Sequence, residues 1–202
     1  MSKIAWHRDA FWKKFGFENL EPDEYKRRTT AVELGFLSAI GGVCYTLLYM
    51  SFGFTQLTIA VIAYVFTFIF NLLFLFFTKN YAFFKTSQLL ACTFLPVLAQ
   101  LLIGGFIQGS AVALAAFLSP AGALLFTNQH VARRYFYMFI VLIIAIGFYE
   151  YFYISPNVTL PRYIIITFFV SNIVSTFSII YFILESFLTK LDELRNELKL
   201  SL

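Results

Sequence analysis

Charge is scarce in this chain. Of 202 residues, 13% are charged, where soluble domains average about 25%. Another 60% are hydrophobic, and 27 residues are Phe. A water-soluble core of this size cannot hide so much apolar surface, so the composition excludes a soluble globular domain and indicates an integral membrane protein. The net charge of +4 is then no nucleic-acid signal, because the bases sit in loops and tails, where they set topology. Cysteine is nearly absent. Cys44 and Cys92 each fall in an apolar run, which fits two lipid-shielded thiols better than a disulfide. The two histidines, His7 and His130, lie in polar segments, so neither haem ligation between spans nor an intramembrane Ser/His protease is expected. No acid lies near a span midplane, as ion-coupled pumps require, and Lys190 falls past the last span, which argues against a retinal protein. There is no Gly-rich phosphate loop. Nothing in the 202 residues reads as catalytic, and no cofactor or metal is expected in them.

What is present is six apolar segments, approximately 31–52, 56–77, 83–106, 111–126, 135–153 and 162–188. Most reach the ~20 residues needed to cross ~30 Å of hydrocarbon. The fourth is the shortest and contains Pro120, so a kink or an incomplete span is expected there. The first 29 residues are polar and charged, so the first span is expected to act as its own insertion signal. With six spans, 14 of the 15 basic residues fall on one side, and Arg162 alone falls on the other. By the positive-inside rule that side is the cytoplasm and holds both termini, in the inner or plasma membrane. The opposite loops are very short, so any ligand must be bound between helices or arrive from the lipid. The sequon Asn157-Val-Thr159 lies in one of them and is read as carrying no function.

The predicted fold is all-α: residues 1–28 form a cytoplasmic amphipathic segment, 29–188 a six-helix transmembrane bundle, and 189–202 the start of a signalling helix. In the first segment, Trp6, Phe11, Trp12, Phe15 and Phe17 alternate with Lys3, Arg8, Lys13 and Lys14. That suits a short helix lying in the headgroup layer, aromatics inward and bases toward anionic lipid, the alternative being a disordered basic tail. At the other end, no Gly or Pro separates the last span from TKLDELRNELKL, so one continuous helix is expected. Leu184, Phe187, Leu191, Leu194 and Leu198 are spaced 3, 4, 3, 4 along it, a short a/d seam for a parallel homodimer; the alternative is a frayed amphipathic tail lying on the membrane.

Few polar groups fall within the spans. Glu33 lies about one turn into the first and is either neutralised by Arg27, Arg28 and Lys85 or placed at the interface. Glu150 and Arg162 stand near the outer mouth, where they either pair or grip a polar ligand head. Gln100 and Gln108 lie toward the same side and are candidate pocket residues; Asn71, Gln88 and Asn172 are expected to bond between helices. Gly41-Gly42, Gly104-Gly105 and the run Ser110–Ala116 would let helices approach closely, and Pro96 and Pro120 free backbone groups within the membrane.

One stretch carries a family resemblance. Gly109–Phe126, GSAVALAAFLSPAGALLF, followed by Ala132-Arg133-Arg134, resembles the fourth span of the six-helix membrane domain of bacterial class III adenylate/guanylate cyclases. Leu102–Phe106 is similar to the end of that family's third span, and Leu160–Pro161 through Asn172–Val174 and on into LTKLDELRNELK resembles its last span and linker helix. Similar modules head some sensor histidine kinases, including quorum-sensing receptors. The resemblance implies a dimeric receptor or regulatory domain, open to a lipophilic small molecule, that passes a signal through the sixth helix to a catalytic domain. That domain would use divalent metal ions, and none of its residues is in this chain. A histidine-kinase sensor, a passive dimeric anchor and a small transporter remain the alternatives.

Overall fold

The computed structural model describes residues 11–18, 20–53, 55–103, 105–106, 109–153 and 161–200. Among them there is no strand. The helices are α1 (Pro22–Ser51), α2 (Thr55–Thr78), α3 (Tyr81–Ile103), a 3-10 helix (Val112–Phe117) that runs into α4 (Leu118–Phe126), α5 (Gln129–Tyr153) and α6 (Arg162–Leu200). All but α4 are long and apolar enough to cross a membrane. Large side chains turned outward, such as Phe66, Phe77, Phe148 and Phe169, ring the bundle with apolar surface. That is the pattern of a multi-pass membrane protein.

Local chemistry sets the helix ends. Pro22 opens α1, and Asp23 and Glu24 follow in its first turn, where a negative charge meets the positive end of the helix dipole. Asn80 and Asn128 cap α3 and α5, their Oδ1 atoms accepting the N–H groups of Phe83 (3.1 Å) and Val131 (3.0 Å). Arg27 closes the far side of the same layer. Its guanidinium donates to the carbonyls of Leu125 (3.2 Å) and Thr127 (3.0 Å), the unsatisfied C-terminal groups of α4. Arg27→Gln is expected to cost about 1–2 kcal/mol, read as a lowered Tm in detergent. Arg27→Lys should recover little, because one ammonium lacks the fork that serves two carbonyls.

The fourth apolar segment is not a regular helix. It starts as 3-10 and becomes α only at Leu118. A 3-10 helix rises about 2.0 Å per residue against 1.5 Å for α, so the 15 residues from Val112 to Phe126 cover about 25 Å. Its two ends reach opposite ends of the bundle: Leu125 meets Arg27 at the start of α1, while Ser110, just before it, bonds Ile165 near the start of α6. Ser119, buried midway, donates to the carbonyl of Leu89 on α3 (2.9 Å).

The N-terminal aromatics differ from the sequence expectation. Trp12, Phe15 and Phe17 are buried in protein, in one cluster with Val32, Phe68 and Tyr81. The reason is the α2–α3 turn. Lys79 adopts a left-handed conformation (φ 57°) and its ammonium bonds the carbonyls of Lys14 and Phe76, tying the segment to the bundle end. Arg28 lies 4.8 Å over the Tyr81 ring and 5.9 Å over Phe17. Phe11 alone of the described aromatics here stays exposed, so a membrane-facing role is left to it. Met1–Ala10 lie outside the described residues.

Candidate functional site: an interhelical cavity

Helices α1 and α6 do not close on each other along their length. At one end Tyr49 packs against Phe168, ring centroids 4.7 Å apart and planes tilted by 34°. One turn away the Tyr45 hydroxyl spans the gap to Ser171 (2.8 Å) and Ser175 (3.3 Å). Below this lid is a cavity of about 190 Å³, walled by α1, α2, α3, the 3-10/α4 segment and α6. Most of its surface is aliphatic or aromatic. Gly41 opens into it, since a Cβ there would meet nothing within 4 Å.

Polar groups lie along one strip. Tyr64 and Cys92 line the cavity, the hydroxyl 3.8 Å from Sγ; behind them, outside the lining, Gln88 donates to the Tyr64 hydroxyl (3.2 Å) and Asn71 donates to Gln88 at 3.5 Å. Pro96, four residues after Cys92, has no N–H to give the Cys92 carbonyl, and both residues line the cavity. From α6 come Asn172, Ser175 and Thr176. Such a space suits an uncharged, largely apolar moiety that can exchange one or two hydrogen bonds. Among the described residues no group of His, Cys, Asp and Glu could hold a metal ion.

The candidate ligand residues Gln100, Glu150 and Arg162 lie elsewhere. Gln100 is fully buried, but it does not line the cavity. Its Nε2 donates to the carbonyl of Gly105, and its Oε1 accepts the N–H of Ala113 (3.0 Å). It clamps the loop between α3 and the 3-10 helix. Glu150 reaches the same loop and accepts the N–H of Phe106 at 2.7 Å; Gly105, at φ 99°, has no side chain to obstruct it. Glu150 therefore bonds backbone, and it forms no ion pair with Arg162, which is exposed. Asn172 contributes as well, donating to the Ser110 carbonyl at 3.0 Å. Gln108 lies outside the described residues. On α6, Leu184, Phe187 and Leu191 are exposed. The side chains of Leu194 and Leu198 lie outside the described residues, although the helix runs unbroken through them. Glu33 is exposed, and Arg27 and Arg28 engage Glu24 instead (3.6 and 2.8 Å).

The cavity residues had a faint sequence signal. Ser171, Asn172, Ser175 and Thr176 form a polar stripe at i, i+1, i+4, i+5 on an otherwise apolar span, which marks one face of a helix. Tyr45 and Tyr64, the partners that give the stripe its meaning, look like ordinary interfacial aromatics in sequence.

No protein-family model, curated protein or solved structure matches the chain.

Proposed function

We propose that this chain is the membrane receptor module of a signalling protein, with six spans per protomer and a homodimer paired through α6. Both termini face the cytoplasm, on the side of the basic residues. A lipophilic ligand held in the interhelical cavity biases the position of α6, which carries the change out of the bilayer. One observation carries this reading: α6 supplies a wall of the cavity and continues as one helix to Leu200. At 1.5 Å per residue its 39 residues measure about 58 Å, nearly twice the hydrocarbon thickness. A ligand acts on such a helix only by binding one arrangement better than another. The thin, side-chain-bridged contact between α1 and α6 is where two arrangements would differ. The six-span reading is supported by the ~25 Å reach of the fourth segment. The catalytic partner proposed is a class III adenylate or guanylate cyclase domain. Its support is the resemblance in Gly109–Phe126 and the last span, and the metal ions it needs belong to that domain.

Cross-linking tests the relay. With Cys44→Ser and Cys92→Ala as background, Leu191→Cys should form disulfide-linked dimers when membranes are oxidised. Adding Gly41→Leu, which fills the cavity from a position with open space, should change the dimer yield at least about twofold while the protein level in the membrane holds. Absence of any dimer at Leu184, Phe187 and Leu191 would sink the paired seam. An unchanged yield with the cavity filled would reduce the bundle to a passive anchor.

A further inference from the structure

A second cavity, of about 70 Å³, lies between α1, α3, α4 and α6 on the side nearer the basic end. Ser38, Cys92, Leu118 and Ile179 line both cavities, so the two spaces adjoin. Among the described residues lining either, Lys85 is the only charged one. Lys85 is half-buried on the second turn of α3, and it forms no hydrogen bond or ion pair among the described residues. The Tyr81 ring lies 5.8 Å from its Nζ, and Glu24, Arg27 and Arg28 are its charged neighbours. The nearby carboxylate of Glu24 is held by Arg28 and Arg27. A partly buried ammonium with no anion of its own is costly, and the apolar space leading away from it has no polar requirement beyond the strip along Tyr64 and Asn172.

We propose that the paired cavities bind a single-chain anionic amphiphile, its carboxylate or phosphate on Lys85 and its apolar chain running past Cys92 into the larger space. This rests on the receptor reading above and names the ligand class for it. Size limits the chain. A cavity of 150 Å³ holds benzene, so by the same ratio the two spaces hold roughly ten carbons. The head enters from the basic end of the bundle, where Arg28 and Lys79 also stand and anions are concentrated.

The test uses the full chain in phosphatidylcholine nanodiscs, with radiolabelled decanoate and decanol as probes. Both should bind the unmodified protein, and Gly41→Leu should abolish both. Lys85→Gln should weaken decanoate about 10- to 100-fold, the usual worth of a charge-assisted hydrogen bond, and leave decanol unchanged. Retained decanol binding also certifies that the variant is folded. Equal decanoate affinity in the Lys85→Gln protein would overturn the proposal while leaving the cavity reading intact. Binding of neither probe to the unmodified protein would overturn both. Displacement of decanoate by a short-chain lysophosphatidylglycerol in the discs, dependent on Lys85, would assign the head site to a single-chain lipid phosphate, whereas decanoate resistant to it is a free carboxylate ligand.

Discussion

Gly35→Ala is expected to be among the most damaging single-atom additions in this protein. Gly35 is buried where α1 crosses α2, and a Cβ built there lies under 3.0 Å from the Phe68 ring edge. Real Cβ atoms do not sit so close, so something must move. The ring has nowhere to go. Phe68 is 1% exposed, edge-on to Phe36 at 5.3 Å and near Phe84 at 6.4 Å. Overpacking of this kind costs about 1–3 kcal/mol, which in a chain of this size lowers Tm by roughly 3–10 °C. Gly42, seven residues on and against Val65 at 2.7 Å, belongs to the same close contact and should respond alike. Gly41→Ala is the control, because its Cβ meets open space and little loss is expected. The decisive variant is the pair Gly35→Ala with Phe68→Leu, which removes the ring edge and should recover part of the Tm. A Gly35→Ala protein as stable as the original would show that α1 and α2 are not locked at this crossing.

The sequence made the helical, membrane-type architecture legible for a simple reason. A helix in lipid satisfies its backbone internally, so its side chains are free to be uniformly apolar, and a run of some twenty such residues has few other meanings. The continuity of the last helix was legible in the same way, from the absence of any breaker between Leu188 and Leu200. The burial of Trp12, Phe15 and Phe17 was not. Aromatic residues alternating with bases satisfy lipid headgroups and a protein surface equally well, and no local pattern shows that Phe76, Tyr81 and Arg28 stand against them. The cavity was hidden for a related reason. It is made where helices do not touch, so it depends on how Gly41, Ala60 and Ala99 from three helices line up, and no local pattern encodes that register. Glu150 is a further instance. Proximity in topology suggested Arg162 as its partner, but the carboxylate instead accepts the backbone N–H of Phe106 at 2.7 Å, beside the positive-φ turn at Gly105.

Gln100→Leu is expected to loosen that end of the bundle and leave the ligand cavity alone. Gln100 uses both ends of its amide inside the protein, toward Gly105 and Ala113. Leucine has a similar volume, so packing is nearly conserved, while the Ala113 N–H loses its partner and the Gly105 carbonyl keeps only the N–H of Gly109. The orphaned N–H costs about 1–3 kcal/mol and the lost second bond to the carbonyl about 0.5–1.5 kcal/mol. The loop they hold is also strained. Ser110 and Ala111, neither of them glycine, sit in succession at φ 51° and 56°, and left-handed conformations cost roughly 1–2 kcal/mol per residue without compensation. Once the clamp is gone, the side-chain bonds of Glu150, Asn172 and Ser110 remain to oppose relaxation there. The Tm should fall by about 5–15 °C. Amide exchange should accelerate first at Phe106 and Ala113, with α2 and the α1 core protected as before. Gln100→Glu separates the two bonds, since an ionised carboxylate can still accept from Ala113 but has no proton to offer Gly105. The sequence alone suggests a different role, with Gln100 lining a binding pocket. The two roles part company on one measurement, decanol binding by the Gln100→Leu protein well below its Tm. Unchanged affinity makes Gln100 a clamp on a strained crossing, whereas lost affinity in a folded protein would place the ligand at this end of the bundle and move the site away from the cavity under Tyr45.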